Sequence, residues 1–328
     1  MKRWVSWLSI LCGMGLFNFS QAEAAAFSLN EKKAPENQAD LMLIQEALLA
    51  ALPKAREATV AIDIGDGSGS GVIVSKDGLV MTAAHVSGGV EKKVTIIMPD
   101  GKRLKAKTLG LMSETDAAMI QITEPGEYPF VELNRTGQIK LGDWVFSLGH
   151  SGGFNKDRGA VARLARLVGI KNTTYQTDGT LIGGDSGGPL FDIEGRLIGI
   201  HSRVGPQLPV NMHVPVQVFL DHWEPLMKSE FIGEGPFAQR PVKGNGMLGI
   251  ATRTVAGGLE ITKIGKNSAA EKAELKVGDV IRKMDGKEVK IREELQAVIK
   301  DKSAGDELEL EISRDGKEQK ITVELLER

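Results

Sequence analysis

One cysteine in 328 residues leaves no material for a disulfide framework or a cysteine-rich zinc module. Aromatic residues are scarce at 5%, whereas 39 glycines fit turn-rich β structure. Neither sign of charge dominates: 41 Lys and Arg stand against 43 Asp and Glu, a formal net charge of −2. This excludes a nucleic-acid protein that relies on a strongly basic field. Long apolar runs are also lacking. The stretch Trp4–Phe19 has 16 residues interrupted by Ser6, Ser9 and Asn18, short of the roughly 20 that a spanning helix needs. What remains, 41% hydrophobic and 26% charged, is the composition of a folded globular chain. At roughly 100–200 residues per domain the length suggests two domains.

Lys2 and Arg3 precede the apolar stretch, and Gln21-Ala22-Glu23-Ala24-Ala25-Ala26 follows it. A basic start, a short apolar core and an Ala-x-Ala exit read as a secretory signal peptide over residues 1–26, with an uncleaved anchor as the alternative. Cys12 lies within it, so cleavage leaves an exported chain without cysteine.

Residues 27–54 are expected to form an N-terminal segment, loose and polar at first. Leu41, Ile44, Leu48, Leu49 and Leu52 then recur at helical spacing until Pro53 stops the pattern. Short β-type runs follow, clearest at Val60–Ile64, Gly71–Ser75, Leu79–Ala83, Val94–Met98, Ala117–Ile122, Trp144–Leu148 and Leu197–His201. Their close spacing predicts an antiparallel sandwich or barrel over 55–228. A Gly- and Pro-rich linker is expected over 229–243, then a small α+β unit over 244–328. In that unit Ser268-Ala269-Ala270-Glu271 is a capping box. Asp285-Gly286 and Asp315-Gly316 are hairpin turns.

The most informative stretch is Gly183-Gly184-Asp185-Ser186-Gly187-Gly188-Pro189-Leu190. Its glycines let the backbone turn sharply around the Ser186 hydroxyl, and the amides of Gly184 and Ser186 can converge where a carbonyl becomes an oxyanion. A serine hydroxyl is a weak nucleophile without a base in reach. Among five histidines, His85 in Thr82-Ala83-Ala84-His85 has the most suggestive context. His150, His201, His213 and His222 read as structural or solvated.

The serine run resembles the nucleophile loop of chymotrypsin-like serine proteases, and Thr-Ala-Ala-His before it resembles their His…Asp…Ser order. The third member is then expected between them at the opening of a strand, where Asp116 stands; Asp100, Asp143 and Asp178 are less well placed. Gly69-Ser70-Gly71-Val72-Ile73-Val74-Ser75 and Asp77-Gly78-Leu79-Val80-Met81-Thr82-Ala83-Ala84-His85 resemble the HtrA/Deg family in particular. The resemblance implies a mainly β fold: a chymotrypsin-like double antiparallel β-barrel followed by a small α+β PDZ domain. Asn245-Gly246-Met247-Leu248-Gly249-Ile250 resembles the PDZ carboxylate-binding loop. The amides of Leu248, Gly249 and Ile250 are expected to face a groove walled by a helix bearing Leu295 and Val298.

The resemblance further implies an exported, ATP-independent serine endopeptidase acting on unfolded or damaged proteins in the periplasm or cell envelope. His85, Asp116 and Ser186 would be its triad, and peptide C-termini would bind at the PDZ domain. A homotrimer is implied, with no metal, organic cofactor or nucleic acid. Two departures bear on this. HtrA proteins usually carry Asn where Asp185 stands, so this carboxylate needs a partner such as Arg158, Arg163 or Arg203. Arg203 is also unusual on the strand that lines the specificity pocket. Thr180, expected near the pocket base, offers no carboxylate for Lys or Arg, so small or medium aliphatic residues are expected before the cut. The alternative reading is a latent or inactive PDZ-bearing adaptor or chaperone.

Overall fold

The computed structural model describes residues 30–65, 67–204, 211–240 and 244–327. The expected signal peptide lies outside them. Among the described residues, no helix is long and apolar enough to cross a membrane. The chain divides into two units, Met1–Gln239 and Arg240–Arg328.

The first unit opens with helix α1 (Gln38–Ala58) and strands β1 (Thr59–Asp63), β2 (Ser68–Ile73) and β3 (Leu79–Thr82). A single helical turn, α2 (Ala84–Ser87), precedes β4 (Lys93–Ile97), β5 (Arg103–Met112) and β6 (Ala117–Ile122). These strands run in the order β5-β4-β1-β2-β3-β6, and pairing of β5 with β6 closes the ring. Period-2 patterning is visible in β5, where Leu104 and Ala106 are buried while Arg103 and Lys105 are exposed. The second ring joins β7 (Trp144–Gly149), β8 (Val161–Lys171), β9 (Thr174–Thr177), β10 (Pro189–Asp192), β11 (Leu197–Val204) and β12 (Asn211–Pro215). It closes in the order β10-β11-β12-β9-β8-β7. One apolar cluster spans both rings, with Phe146 stacked on Phe191 at 4.9 Å between centroids, and a separate cluster of Val145, Ala165, Leu167, Leu190 and Ile198 belongs to the second ring.

Helices α3 (Val216–Asp221) and α4 (Trp223–Met227) then lead to β13 (Phe231–Ile232), which pairs in parallel with Leu111 and Met112 of β5. Part of the expected linker is therefore docked on the first barrel. The Gly235 amide donates to the Ser113 hydroxyl and the Phe237 amide to the Ser113 carbonyl. The N-terminal segment also differs from expectation. Residues 30–37 are held on the second barrel, where the Trp144 amide donates to Asn30 and Arg166 donates to the carbonyls of Lys32 and Lys33. Helix α1 continues through Pro53. Its last turns bury Ala55 and Ala58 and end where the Thr59 hydroxyl donates to the Ala55 carbonyl, which offsets a proline cost of about 3 kcal/mol.

The second unit is a sheet of β15 (Ile250–Val255), β16 (Gly258–Ile264), β17 (Val280–Met284), β19 (Glu307–Arg314) and β20 (Lys317–Glu324), with β18 (Lys287–Glu288) paired to β17. Strand β14 (Gly246–Met247) pairs with β21 (Leu326–Glu327), and helices α5 (Ala269–Lys272) and α6 (Arg292–Lys300) complete the unit. Asp285 and Asp315 take φ values of 47° and 52° before their glycines, as the tight hairpins require. The capping box is shifted by one residue: Ser268 accepts the Glu271 amide, while the Glu271 carboxylate accepts the amide of Asn267.

Candidate active site

His85 stands on the single turn α2, which follows β3 directly. Its imidazole is 37% exposed, whereas the Asp116 carboxylate is fully buried. His85 Nδ1 lies 3.0 Å from both Asp116 oxygens, and the His85 amide donates to Oδ1 at 3.1 Å. Since a carboxylate only accepts, Nδ1 carries a proton, and in the neutral ring this tautomer leaves the lone pair on Nε2. Asp116 ends the β5–β6 turn at φ 67°, a left-handed conformation that Asp tolerates better than most residues. The Ser202 hydroxyl completes its shell, donating to Oδ2 at 2.5 Å. Ser202 went unread in the sequence, where only its place beside Arg203 on β11 marked it.

Ser186 lies in the turn before β10, half-buried. Ser70 of β2 in the first barrel fixes this turn. Its amide donates to the Ser186 carbonyl at 2.7 Å, its hydroxyl donates to the Gly184 carbonyl at 2.7 Å, and the hydroxyl oxygen accepts the His150 amide. At Gly184 (φ 93°) a Cβ would overlap the His150 carbonyl. The Gly183 carbonyl accepts the Gly152 amide, and the Asp185 carbonyl accepts the Gly188 amide. In a trans peptide the following N–H points the opposite way. The amides of Gly184 and Ser186 are thus turned out of the loop, and neither donates to any group among the described residues. Nor does a hydrogen bond reach the Ser186 hydroxyl among them; such bonds often tighten only when substrate is bound.

Of the three arginines considered for Asp185, Arg163 reaches it, with Nη2 3.1 Å from Oδ2. Ser151 Oγ donates to Oδ1 at 2.6 Å, and the Ile182 amide donates to Oδ2 at 2.9 Å. Arg158 bonds the Gly153 carbonyl instead. Arg203 is exposed, its guanidinium 5.0 Å from the Phe237 ring centre. Asp100, Asp143 and Asp178 accept the backbone amides of Lys102, Lys140 and Arg166, which makes them turn and strand caps. Thr180 is exposed and so forms no buried pocket base.

Beside the site, His201 and His213 form a buried pair with Nδ1 atoms 2.9 Å apart. His201 Nε2 faces the Leu148 carbonyl at 3.1 Å, and His213 Nε2 faces the Thr177 hydroxyl at 2.9 Å. One consistent pattern follows: His201 donates through Nε2, His213 donates through Nδ1, and Thr177 donates to His213. Every ring nitrogen is satisfied with both histidines neutral. Burial pushes His201 down to about 3 and His213 well below the ordinary range. His150 is likewise buried and pushed down, and His222 bonds the Val218 carbonyl.

The second unit contains a groove of about 1120 Å³ between β15 and α6, with Leu248, Ile250, Leu295 and Ile299 on its walls. Val298 lines a different hollow with Lys287 and Ala297, so the helix wall is Leu295 and Ile299, one turn apart. The Leu248 carbonyl accepts the Ala270 amide and the Gly249 carbonyl accepts the Gly265 amide, which turns the N–H groups of Gly249 and Ile250 to the opposite side. Gly249 has φ 79°, and a Cβ there would overlap Ser268.

Residues 69–200 match the trypsin-like peptidase domain family, and residues 246–325 match the PDZ domain family. A probable periplasmic serine endoprotease, DegP-like, of Pseudomonas savastanoi pv. phaseolicola is 32% identical over 278 residues, covering 78% of this chain and 55% of that protein. A probable periplasmic serine protease do/HhoA-like of Haemophilus influenzae is 30% identical over 271 residues, covering 79% of this chain and 58% of that protein. The chain thus spans just over half the length of these curated relatives. A solved HtrA-type protease with a tripeptide shares the fold at a TM-score of 0.50 and 21% identity, covering 86% of this chain and 97% of that one. The chain belongs to the HtrA/Deg type, a trypsin-like peptidase domain followed by one PDZ domain.

Proposed function

We propose that this chain is an exported, ATP-independent serine endopeptidase that cleaves unfolded or damaged polypeptides in the periplasm, while its PDZ groove holds peptide C-termini. One observation carries the reading. A buried Asp116 holds the His85 ring through Nδ1, which leaves Nε2 of the neutral ring free to accept a proton, and the loop holding Ser186 leaves the amides of Gly184 and Ser186 without partners among the described residues. Ser186 Oγ attacks the scissile carbonyl carbon as His85 Nε2 takes its proton, and Asp116 stabilises the resulting imidazolium. The amides of Gly184 and Ser186 receive the oxyanion. His85 then protonates the leaving amine, the C–N bond breaks, and water repeats the sequence on the acyl-enzyme. The periplasmic placement is supported by the names of the relatives and the basic-apolar N-terminus. Family likeness also supports a homotrimer, which light scattering would register as three chain masses.

The competing adaptor reading rests on Asp185 and on the peptide-binding module; the ion pair with Arg163 gives Asp185 a partner and leaves the second ground to experiment. A peptidyl phosphonate should label the wild type covalently and leave Ser186→Ala untouched. Unfolded casein should be degraded without ATP by the wild type alone. Equal survival of casein with both proteins, at equal fold by circular dichroism, overturns the enzyme reading.

A further inference from the structure

We infer that the groove of the second unit selects peptide C-termini carrying acidic side chains at the penultimate position and about four residues upstream of the terminus. This rests on the proposed reading of that groove as a C-terminus site. Among the described residues, strand β15 is the edge of its sheet and pairs only with β16. A peptide added antiparallel to it places alternate side chains toward α6 and toward the exposed sheet face. The apolar walls between β15 and α6 suit an aliphatic terminal residue.

The polar rim is what distinguishes this groove. Lys263, Lys266, Arg292 and Lys300 line it, against the single carboxylate of Asp301. All four cations are exposed, and none has an ion-pair or hydrogen-bond partner among the described residues. The contrast lies in Arg253 on β15, which Glu260 of β16 holds in a two-pronged pair.

Their placement assigns them different parts of a peptide. Lys300 closes α6 beside Gly244, near the loop whose amides would take the terminal carboxylate, and Lys266 lies by Gly265 at the same end. Lys263 is the cross-strand partner of Ala251, and both are exposed. A penultimate side chain, pointing away from the apolar walls, meets Lys263 there. Arg292 opens α6, eight residues before Lys300. That separation is about 12 Å along the helix axis, the reach of three to four residues of extended peptide at about 3.3 Å each. Of the positions in that reach, alternation turns the side chain four residues upstream of the terminus toward α6, where an acidic group faces Arg292. An unneutralised cationic rim of this kind favours acidic partners and disfavours basic ones.

Fluorescence polarisation with the full chain carrying Ser186→Ala, so that probes are not cut, tests this. Four labelled decapeptides share a terminal leucine: one with Glu at the penultimate and fifth-from-last positions, one with Gln there, one with Lys there, and the Glu peptide amidated at its terminus. We expect the free-acid Glu peptide to bind at least tenfold tighter than the Gln peptide, and the Lys peptide to bind weakest. The preference should shrink in 0.5 M salt and be lost in a Lys263→Glu/Arg292→Glu variant. Equal binding of the Glu and Gln peptides overturns this inference while leaving the groove reading intact, as does a preference that survives charge reversal. Failure of every free-acid peptide, or equal binding of the amidated one, overturns the groove reading and this inference with it.

Discussion

Arg163 reaches from β8 to place Nη2 3.1 Å from Oδ2 of Asp185, a fully buried carboxylate immediately before Ser186. The same Nη2 donates to Ser151 Oγ, which in turn donates to Asp185 Oδ1. The carboxylate also accepts the Ile182 amide, three residues earlier in the turn. Asp185 is therefore the post around which the serine loop is wound, and Arg163 supplies the countercharge from the wall of the second barrel. In digestive-type relatives a newly freed N-terminal amine fills that place; here an internal side chain does.

Replacing Arg163 with Met should be costly for two reasons. It leaves a buried carboxylate without its countercharge, a penalty of about 3–5 kcal/mol, and it frees the loop that aims the Gly184 and Ser186 amides, worth about 10²–10³ in kcat. Thermal melts and turnover of a fluorogenic peptide should both fall in Arg163→Met. The double variant Arg163→Met/Asp185→Asn removes both charges and should recover much of the lost stability. A single variant that melts and turns over like the wild type would show that the pair does not organise the loop.

How much of this was legible beforehand depends on the range of each interaction. The Gly-Asp-Ser-Gly-Gly-Pro run and Thr-Ala-Ala-His are local, because the turn and the single-turn helix they specify are made by neighbouring residues. A sandwich or barrel could be anticipated from short β-type runs such as Leu79–Ala83 and Trp144–Leu148, and the division into two barrels from the family resemblance. Ser202 was not legible, since nothing adjacent in sequence shows that its hydroxyl meets a carboxylate 86 positions away. Arg163 could be named only as one of three candidates, because its choice depends on the register of β8 against β7, where it pairs with Ser147. The docking of residues 229–239 was hidden as well. Gly233 and Gly235 read as a linker, yet Gly235 packs where a Cβ would overlap the Ser113 carbonyl.

Ser202 allows a graded test of the Asp116 site. Its hydroxyl gives one of the charge-assisted hydrogen bonds on a buried carboxylate, and the His85 ring and amide give others. Ser202→Ala should leave the fold intact and lower kcat/KM about tenfold, the equivalent of about 1.4 kcal/mol. Ser202→Thr, which keeps the hydroxyl, should restore most of it. Asp116→Asn should cost far more, about 10⁴-fold, because an amide favours the wrong His85 tautomer. Steady-state kinetics on one peptide with all three variants checks the ranking, and Ser202→Ala at wild-type rate would remove this residue from the site.

The buried pair His201–His213 sets the acid limit of the fold. Both rings are neutral in the folded chain, where burial, with a smaller contribution from the Arg163 charge, holds His201 at about 3, and burial holds His213 well below its ordinary value. In the unfolded chain each regains an ordinary value near 6.5. Below about pH 6.5 the unfolded state therefore binds protons that the folded state refuses. Stability is full above that value and, for His201, falls by about 1.4 kcal/mol per pH unit as the pH drops toward 3, with His213 adding a decline of the same sign. Urea midpoints measured between pH 7 and pH 4 should decline accordingly. His213→Asn keeps a donor toward His201 Nδ1 but cannot be protonated, so its decline should be shallower even if it starts from a lower value. Parallel slopes for the variant and the wild type would mean that other groups set the acid limit.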